Sequence, residues 1–141
     1  MLVRLLYSSR AAEPVRPELL VSILKKSNQN NPGAGITGVL CFSGDVFLQA
    51  LEGGRAQVSA LYNRIVADAR HRDVVLLSYE DIDERAFAGW SMGQVNMARL
   101  NPALILKYSD RAQLDPFAVS GKVSLALLCE LVATASVMSL P

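Results

Sequence analysis

The sequence predicts an α+β protein, with a ferredoxin-like βαββαββ sheet that carries two helices on one face and a C-terminal helical cap on the other. Three observations favour this fold class. Five short runs with strand-like alternation occur before residue 98. Segments with helical spacing follow the first and third of these runs. An apolar tail beyond residue 100 then supplies the cover that the second sheet face needs.

A strand and a helix form the first predicted unit. Alternation over residues 2–8 places Tyr7 on the same strand face as Val3 and Leu5. Pro17 suits the first turn of a helix, which we expect to run to about residue 30. Pro32 is expected to end this helix, because the residue before a proline avoids helical geometry. The inner stripe of the helix comprises Leu20, Ile23, Leu24, Ser27 and Asn31.

A hairpin and a second helix follow. The turn Ser43-Gly44-Asp45 joins strands predicted over residues 36–42 and 46–52. Gly53 and Gly54 open a helix that we expect to extend to about Asp68, because its apolar residues recur at helical spacing. The second helix therefore comes directly after the third strand.

Two further strands and the cap complete the predicted fold. Strands over residues 74–79 and about 89–97 are separated by a charged connection, residues 80–85. Helices over residues 102–106 and about 120–138 make up the tail. We therefore divide the chain into a sheet domain, residues 1–98, and an extension, residues 99–141, that caps the sheet and leaves apolar surface for a partner.

Charge and composition exclude two classes of site. Fourteen basic and thirteen acidic residues leave a net charge of +1 without a basic run, which lacks the electrostatic footprint of a nucleic-acid binder. Cys41 and Cys129 lie far apart without a CxxC motif, and His71 is the single histidine. We therefore expect no metal site and no nucleic-acid partner.

The N-terminus and the apolar tail bear on location. Met1 leads directly into a strand-like run with Arg4, which is not a signal-peptide pattern, so we expect a cytoplasmic protein. The apolar stretch 123–138 is shorter than the ~20 residues that span a bilayer and contains Glu130, so no membrane segment is expected. A hydrophobic share of 51% indicates a buried cofactor, a subunit interface or both.

Gln49 is the most informative residue, because a strand centre rarely keeps a glutamine without a partner. It shares a strand face with Phe47 and Leu51, so both ends of its amide need hydrogen bonds inside the fold. Leaving one end unpaired costs about 1–3 kcal/mol. Two explanations stay open at this point: a bond to the backbone on an open sheet face, or a ligand.

Six polar side chains converge on the helix side of the predicted sheet. Arg64 and Asp68 also have the spacing of an ordinary i,i+4 surface pair, and Tyr7 could be a core tyrosine. No nucleophile beside a base, carboxylate pair or glycine-rich phosphate loop accompanies them. Amide groups suit a flat heterocycle with carbonyl oxygens and an N–H, such as a nucleotide base or a flavin. The six residues are Tyr7, Ser27, Asn31, Gln49, Arg64 and Asp68.

Six short motifs carry a resemblance to a known family. They are Leu5-Leu6-Tyr7-Ser8-Ser9, Ser27-Asn28-Gln29-Asn30-Asn31-Pro32, Gly35-Ile36-Thr37-Gly38, Phe47-Leu48-Gln49-Ala50-Leu51-Glu52-Gly53, Asp68-Ala69-Arg70-His71 and Trp90-Ser91-Met92. Together they resemble the BLUF domain, a blue-light sensor that uses flavin, over residues 1 to about 97. The tail resembles the helical cap of short, standalone BLUF proteins of the PixD and PapB type.

The resemblance implies FAD as the cofactor, with FMN or riboflavin as alternatives, and makes residues 1–98 its binding domain. The isoalloxazine ring would lie between the two helices. Asn31 would bond the flavin C4 carbonyl and N3–H, and Asn30 would lie near the C2 carbonyl. Arg64 and Asp68 would hold the ring and ribityl side, and Arg70 and His71 would lie near the phosphate end. Further cofactor contacts are implied for Tyr7, Ile23, Leu24, Ser27, Gln49, Arg70, His71 and Met92.

The resemblance also makes Tyr7 and Gln49 the photoactive pair. Tyr7 would give an electron to the excited flavin, and a proton would move through the Gln49 amide. Recombination would leave Gln49 rotated or tautomerised, with a stronger hydrogen bond at the flavin C4 carbonyl. Trp90 and Met92 are expected to share a face of the last strand, so that either can stand beside Gln49 if the strand slides by two residues. Ala50 and Val95, on the other sheet face, would carry the change to the tail.

For output, the resemblance implies a sensor that is not itself an enzyme and controls a separate effector protein. The PapB type implies a cyclic di-GMP phosphodiesterase as partner, and the PixD type a response-regulator-like protein in large rings. The apolar final helix predicts a homo-oligomer, a dimer or larger. Two alternatives stay open: a flavin-dependent oxidoreductase, and a non-photoactive regulatory module that binds another small molecule.

Overall fold

The described part of the chain is residues 1–13, 16–134 and 137 of a computed structural model, and it forms one five-stranded sheet with helices on both faces. The strands are β1 (Leu2–Ala11), β2 (Thr37–Ser43), β3 (Val46–Gly54), β4 (His71–Ile82) and β5 (Gly93–Asn96). The helices are α1 (Pro17–Ala34), α2 (Arg55–Ala67), α3 (Pro102–Leu106) and α4 (Gly121–Ala133), with a 3₁₀ turn at Met97–Arg99.

The strand order β4-β1-β3-β2-β5 places β1 and β3 side by side. β1 pairs antiparallel with β3 and β4, β2 pairs antiparallel with β3, and β5 lies parallel to β2. With helices after β1 and β3, this is the predicted ferredoxin-like α+β architecture. The register sets Tyr7 opposite Gln49 on neighbouring strands.

The sheet separates two hydrophobic clusters. The helix-side cluster includes Leu5 of β1, Leu51 of β3, Leu24 of α1 and Val58 of α2. The cap-side cluster joins the opposite sheet face to the C-terminal helices. Members of the cap-side cluster include Leu48, Ala50, Phe87, Val95, Leu128 and Leu131. The cap therefore covers the second sheet face, as predicted.

Helix α1 runs through Pro32 and ends at Ala34, so the prediction that this proline ends the helix is wrong. Gly35 ends it instead, because its φ of 68° lies in the left-handed region and its N–H donates to the carbonyls of Asn31 and Pro32. A proline in the last turn removes one intrahelical hydrogen bond, which is a small loss where the helix already ends. Asn31 consequently stays on the helix.

Strands β1 and β4 are longer than predicted, and β5 is shorter. β4 has 12 residues because it pairs along the whole of β1, from Leu2 opposite Ile82 to Ala11 opposite His71. This main-chain pairing outweighs the polarity of the segment that we expected to be a connection. β5 spans only Gly93–Asn96. The residues before Gly93 therefore lie in a turn and not in the last strand.

The cap helices begin with ordinary capping side chains. The hydroxyl of Ser120 accepts a hydrogen bond from the N–H of Val123 at the start of α4. Glu130, the charged residue of the apolar run, pairs with Lys107 over 2.5 Å between Oε1 and Nζ. α4 ends at Ala133, and its predicted continuation to residue 138 lies outside the described residues. Within the described ranges, no helix is long and apolar enough to cross a membrane.

Candidate functional site

An open cleft with a cavity volume of about 140 Å³ lies between α1, α2 and the helix side of the sheet. This volume is below the roughly 300–1,000 Å³ of typical small-molecule sites, so the cleft would enclose part of a cofactor and leave the rest towards its open side. We predicted thirteen site residues from the sequence, and ten of them line the cleft. The exceptions are Leu24, Trp90 and Met92. Leu24 is 1% exposed and packs α1 against the sheet as part of the helix-side cluster.

Tyr7, Gln49 and Met92 form a chain of hydrogen bonds at the sheet surface of the cleft. The Tyr7 hydroxyl donates to Oε1 of Gln49. Nε2 of Gln49 donates to Sδ of Met92 over 3.2 Å. Both ends of the amide therefore have side-chain partners. The bond to Met92 is the weaker of the two, because a thioether sulfur is a poor acceptor.

Tyr7 lies in a dry environment. Its side chain is 1% exposed, and its ring centroid lies 5.7 Å from that of Tyr62. Burial raises the pKa of Tyr7 far above its ordinary value, and Tyr62 and Asp68 raise it further. The phenol is therefore neutral in the resting protein, and its proton leaves readily only when an electron leaves with it.

Asn31 links α1 to the turn before β5. Its Nδ2 donates to the backbone carbonyl of Ser91 over 2.8 Å, and the residue is 3% exposed. One N–H of the amide is used in this bond, which leaves the second N–H and the carbonyl oxygen of the side chain for a ligand. Asn30 is exposed and lines the cleft beside it.

The cleft also has charged residues, but they are not paired as an i,i+4 spacing would suggest. Asp68 binds Arg70, with 2.6 Å between Oδ2 and Nη2, and not Arg64. The Arg70 hydrogen bonds hold the pKa of Asp68 at about 2. Arg64 is exposed, and no ion pair joins it to another described residue. Because Arg70 is already neutralised, Arg64 and Lys26 are the cations of the cleft that can meet an anionic ligand.

His71 occupies the wall of the cleft between a hydroxyl and an aromatic ring. Its Nδ1 lies 3.0 Å from Oγ of Ser9, and its ring meets Phe47 edge-on at 5.4 Å. Burial lowers the pKa of His71, Asp68 opposes this shift, and Arg70 adds to it. The imidazole is therefore neutral at neutral pH. Among the described residues, no group of three potential ligands could hold a metal ion.

Met92 and Trp90 lie on opposite sides of the sheet, so the prediction that they share a face is wrong. Met92 is 2% exposed and belongs to the helix-side cluster beside Gln49. Trp90 packs against the cap-side cluster. The reason is that both residues precede β5, where strand alternation does not apply. This structure therefore shows the arrangement with Met92 inward.

Two polar residues near the ligand site were not predicted from the sequence. Lys26 lines the cleft from α1, and its position three residues after Ile23 and four before Asn30 would have indicated this face of the helix. Ser9 is fully buried and holds His71. Alternation from Tyr7 would have placed Ser9 on the same strand face.

A flavin fits this set of side chains. It has flat apolar faces, a polar edge with carbonyl and N–H groups, and a phosphate chain. Ile23 and Ile65 offer apolar walls, and the amides of Asn31 and Gln49 offer both donors and acceptors to a polar edge. Arg64 is an available cation for phosphate.

Comparison with known sequences identifies a family. The family model BLUF, sensors of blue-light using FAD, matches residues 2–93. Photoactivated adenylate cyclase subunit alpha of Euglena gracilis is 40% identical over 86 residues, which is 61% of this chain and 8% of that protein. The blue light- and temperature-regulated antirepressor BluF of Escherichia coli K12 is 40% identical over 90 residues, 62% of this chain and 22% of that protein. The chain thus spans a small part of these relatives.

Comparison with solved structures agrees. BlsA in its photo-activated state superposes with a TM-score of 0.83 at 31% identity, over 94% of this chain and 95% of that chain. The dark-state structure of BlrB, a BLUF protein, gives 0.80 at 32% identity, over 95% and 96%. A calcium and cyclic di-GMP complex of Klebsiella pneumoniae BlrP1 gives 0.69 at 32% identity, over 96% of this chain and 34% of that chain.

The matches to BlsA and BlrB run along nearly the whole of each chain, so the similarity extends beyond the residues that the family model matches. The family match supports a light sensor with FAD and not the oxidoreductase or the non-photoactive module that the sequence alone left open. With a family model matched over residues 2–93 and a cleft that fits a flavin, the chain belongs to the BLUF family of blue-light sensors.

Proposed function

We propose that Tyr7 and Gln49 carry the light response of this sensor. The observation that carries the proposal is the chain of hydrogen bonds from Tyr7 through Gln49 to Met92. It sets an electron and proton donor against an amide whose donor and acceptor ends can exchange. The bound flavin supplies the absorption of blue light and an excited state that accepts an electron.

Tyr7 is suited to give up an electron and a proton together. Burial and a raised pKa keep its phenol neutral before illumination. The proton then leaves along the existing hydrogen bond to Oε1 of Gln49. When the electron and proton return, Tyr7 is restored and the Gln49 amide is left reversed.

Reversal of the Gln49 amide by rotation breaks both of its hydrogen bonds, lets Nε2 donate to the Tyr7 oxygen and produces a metastable state. The hydrogen bond broken at Nε2 is the weak one, to the sulfur of Met92. After rotation the amide oxygen faces that sulfur, which has no proton to donate. A buried acceptor without a donor costs about 1–3 kcal/mol unless a ligand group meets it. We expect this cost to return the amide to its resting orientation in the dark.

The remaining predicted residues are proposed to hold the cofactor. Asn30 and Asn31 would bind the polar edge of the flavin, and Ser27 would lie beside them on α1. We assign the phosphate chain to Arg64 and not to Arg70 as first expected, because Arg70 is already paired with Asp68. Asp68, Arg70 and His71 would shape the wall of the cleft, with Asp68 fixing the Arg70 side chain.

The proposal is tested by purifying the chain with FAD and recording absorption before and after blue light. We expect a yellow protein whose flavin bands shift to the red without bleaching and return in the dark. Stable bleaching by a reductant together with substrate turnover would favour an oxidoreductase. A colourless protein that cannot be loaded with flavin would refute the proposal.

We further propose that residues 99–141 form an output and oligomerisation extension that acts on a separate effector in the cytoplasm. In support, Ala50 and Val95 belong to the same cap-side cluster as Leu128 and Leu131 of α4, so one apolar core joins the back of β3 to the cap. The similarity to BlrP1, which was solved as a complex with cyclic di-GMP, favours a cyclic di-GMP phosphodiesterase as effector. A response-regulator-like protein is the second candidate.

Co-purification from lysate in the dark and in the light tests this output. We expect an effector whose recovery differs between the two conditions. Sedimentation of the isolated protein tests self-association, for which we expect a homo-oligomer, a dimer or larger. A monomer at micromolar concentration would contradict the oligomer, and equal recovery in light and dark would contradict the switchable partner.

A further inference from the structure

Glu52 is a buried carboxylate that the proposed photochemistry does not use. It lies on β3 three residues after Gln49, so its side chain points to the opposite, cap side of the sheet. The side chain is 0% exposed. A charge in such a place needs good hydrogen bonds to be tolerated. Glu52 has three: from Nε of Arg4 at 2.8 Å, the N–H of Ala86 at 3.0 Å and the N–H of Phe87 at 2.7 Å.

These bonds tie the start of the β4–β5 loop to three strands. Arg4 lies on β1 and Glu52 on β3, while Arg85 donates to Oγ1 of Thr37 on β2 over 3.0 Å. Phe87 is fully buried in the cap-side cluster, with the Arg4 guanidinium 5.9 Å from its ring centroid. Residues 85–87 are therefore a fixed point on the back of the sheet.

The same loop then reaches the photoactive site through consecutive residues 90–92. The N–H of Gly38 donates to the Trp90 carbonyl over 3.1 Å. Asn31 donates to the Ser91 carbonyl, and Gln49 donates to Met92. Two residues separate the fixed point from this segment, and one of them is a glycine with open space around it. On the N-terminal side of Met92, any movement is consequently taken up between residues 88 and 92.

We propose that Glu52 is a positioning residue of the light cycle. By fixing the start of the loop, it keeps Met92 against Gln49 in the dark and brings it back there after illumination. A carboxylate is required because both its oxygens accept hydrogen bonds from three donors, whereas an amide at this position would turn its NH₂ group towards one of them. The inference rests on the photoactive role proposed for Gln49.

The test uses the FAD-loaded full chain labelled with 5-fluorotryptophan. Trp90 is the single tryptophan, so the fluorine NMR spectrum reports the loop segment alone. We expect one dark-state signal for the unsubstituted protein and a second populated signal for Glu52→Gln. Return of the red-shifted absorption in the dark should slow by about tenfold, the effect of losing roughly one net hydrogen bond of the usual strength.

Glu80→Gln is the matched control. Glu80 also pairs with Arg4, over 3.0 Å between Oε1 and Nη1, but its side chain is 46% exposed and makes no bond to the loop. This variant should keep the single fluorine signal and the recovery rate. Equal effects of Glu80→Gln and Glu52→Gln would overturn the proposal, because both would then act through Arg4.

Ala86→Pro keeps the proposal falsifiable if Glu52→Gln does not fold. It deletes one N–H that binds Glu52 and leaves both charges in place. We expect a second fluorine signal and slower recovery here as well. The inference would be overturned by a folded Glu52→Gln protein that keeps the fluorine spectrum of the unsubstituted protein and recovers within about twofold of its rate. If Glu52→Gln does not fold, the same result for a folded Ala86→Pro protein would overturn it. Failure of the proposed photochemistry is distinguishable, because the unsubstituted protein would then show no red shift.

Discussion

Replacing Tyr7 by phenylalanine tests the photoactive pair through the loss of one oxygen atom. The ring is 1% exposed and packs against Tyr62, and phenylalanine fills the same space. What disappears is the hydrogen bond to Oε1 of Gln49. That oxygen belongs to a side chain that is 5% exposed, so water cannot readily replace the lost donor.

The expected loss in the free energy of unfolding is about 1–3 kcal/mol, the usual cost of a buried acceptor without its donor. The apolar area buried by the ring is unchanged, so no further loss from ring packing is expected. Flavin affinity should change by no more than a few-fold, since the cleft keeps its other polar residues. The light-induced red shift should vanish, because phenylalanine cannot supply the electron and proton together.

Urea unfolding and absorption before and after blue light, both on FAD-loaded protein, measure these effects. Tyr62→Phe is the control, because its ring neighbours Tyr7 and its hydroxyl does not bond Gln49 in the described structure. That variant should keep both the stability and the shift. A Tyr7→Phe protein that still shifts to the red would refute the assignment of the donor, and an unchanged unfolding midpoint would refute the hydrogen-bond reasoning.

Further predictions concern the cofactor phosphates, pH and packing. Arg64→Ala should weaken binding of FAD by about three- to tenfold and leave the affinity for riboflavin unchanged. Arg70→Ala should affect both flavins alike, because Arg70 is already paired with Asp68. Titration of flavin-free protein with each flavin measures the affinities, and equal effects of Arg64→Ala on both flavins would contradict the assignment. Burial lowers the folded-state pKa of His71, so the unfolded chain binds its proton first and stability should fall as pH drops below about 6.5; denaturation at several pH values should show this slope, and its persistence in His71→Gln would assign it elsewhere. Gly38→Ala would overlap a carbonyl oxygen of β3 and should cost more than about 2 kcal/mol or prevent folding, while Gly33→Ala, with open space, should be neutral or slightly stabilising in thermal unfolding.

The contact between Tyr7 and Gln49 could be predicted, because it depends on the alternation within each strand and on the order of strands and helices along the chain. Alternation fixes the face of each residue on its own strand, and helices after β1 and β3 fix which face is covered. Once β1 and β3 are neighbours, the two side chains share one volume. The stripe of α1 adds Asn31 by the same reasoning, with helical spacing in place of alternation.

Other features depend on contacts between distant parts of the chain, which a pattern does not contain. Trp90 and Met92 lie on opposite faces of the sheet because both belong to the loop that Glu52 binds, before β5 begins. The length of β4 follows from its pairing with β1. Asp68 pairs with Arg70 and not with the expected Arg64. The reason is that Asp68 follows the last residue of α2, where the i,i+4 geometry no longer holds.

The most direct test is the light-minus-dark absorption of FAD-loaded Gln49→Leu. We expect a yellow protein without the reversible red shift, because leucine has no donor and acceptor to exchange. Gln57→Leu, at an exposed position of α2, should shift as the unsubstituted protein does. A Gln49→Leu protein that still shifts to the red in blue light and recovers in the dark would contradict the assignment of Gln49 as the moving part.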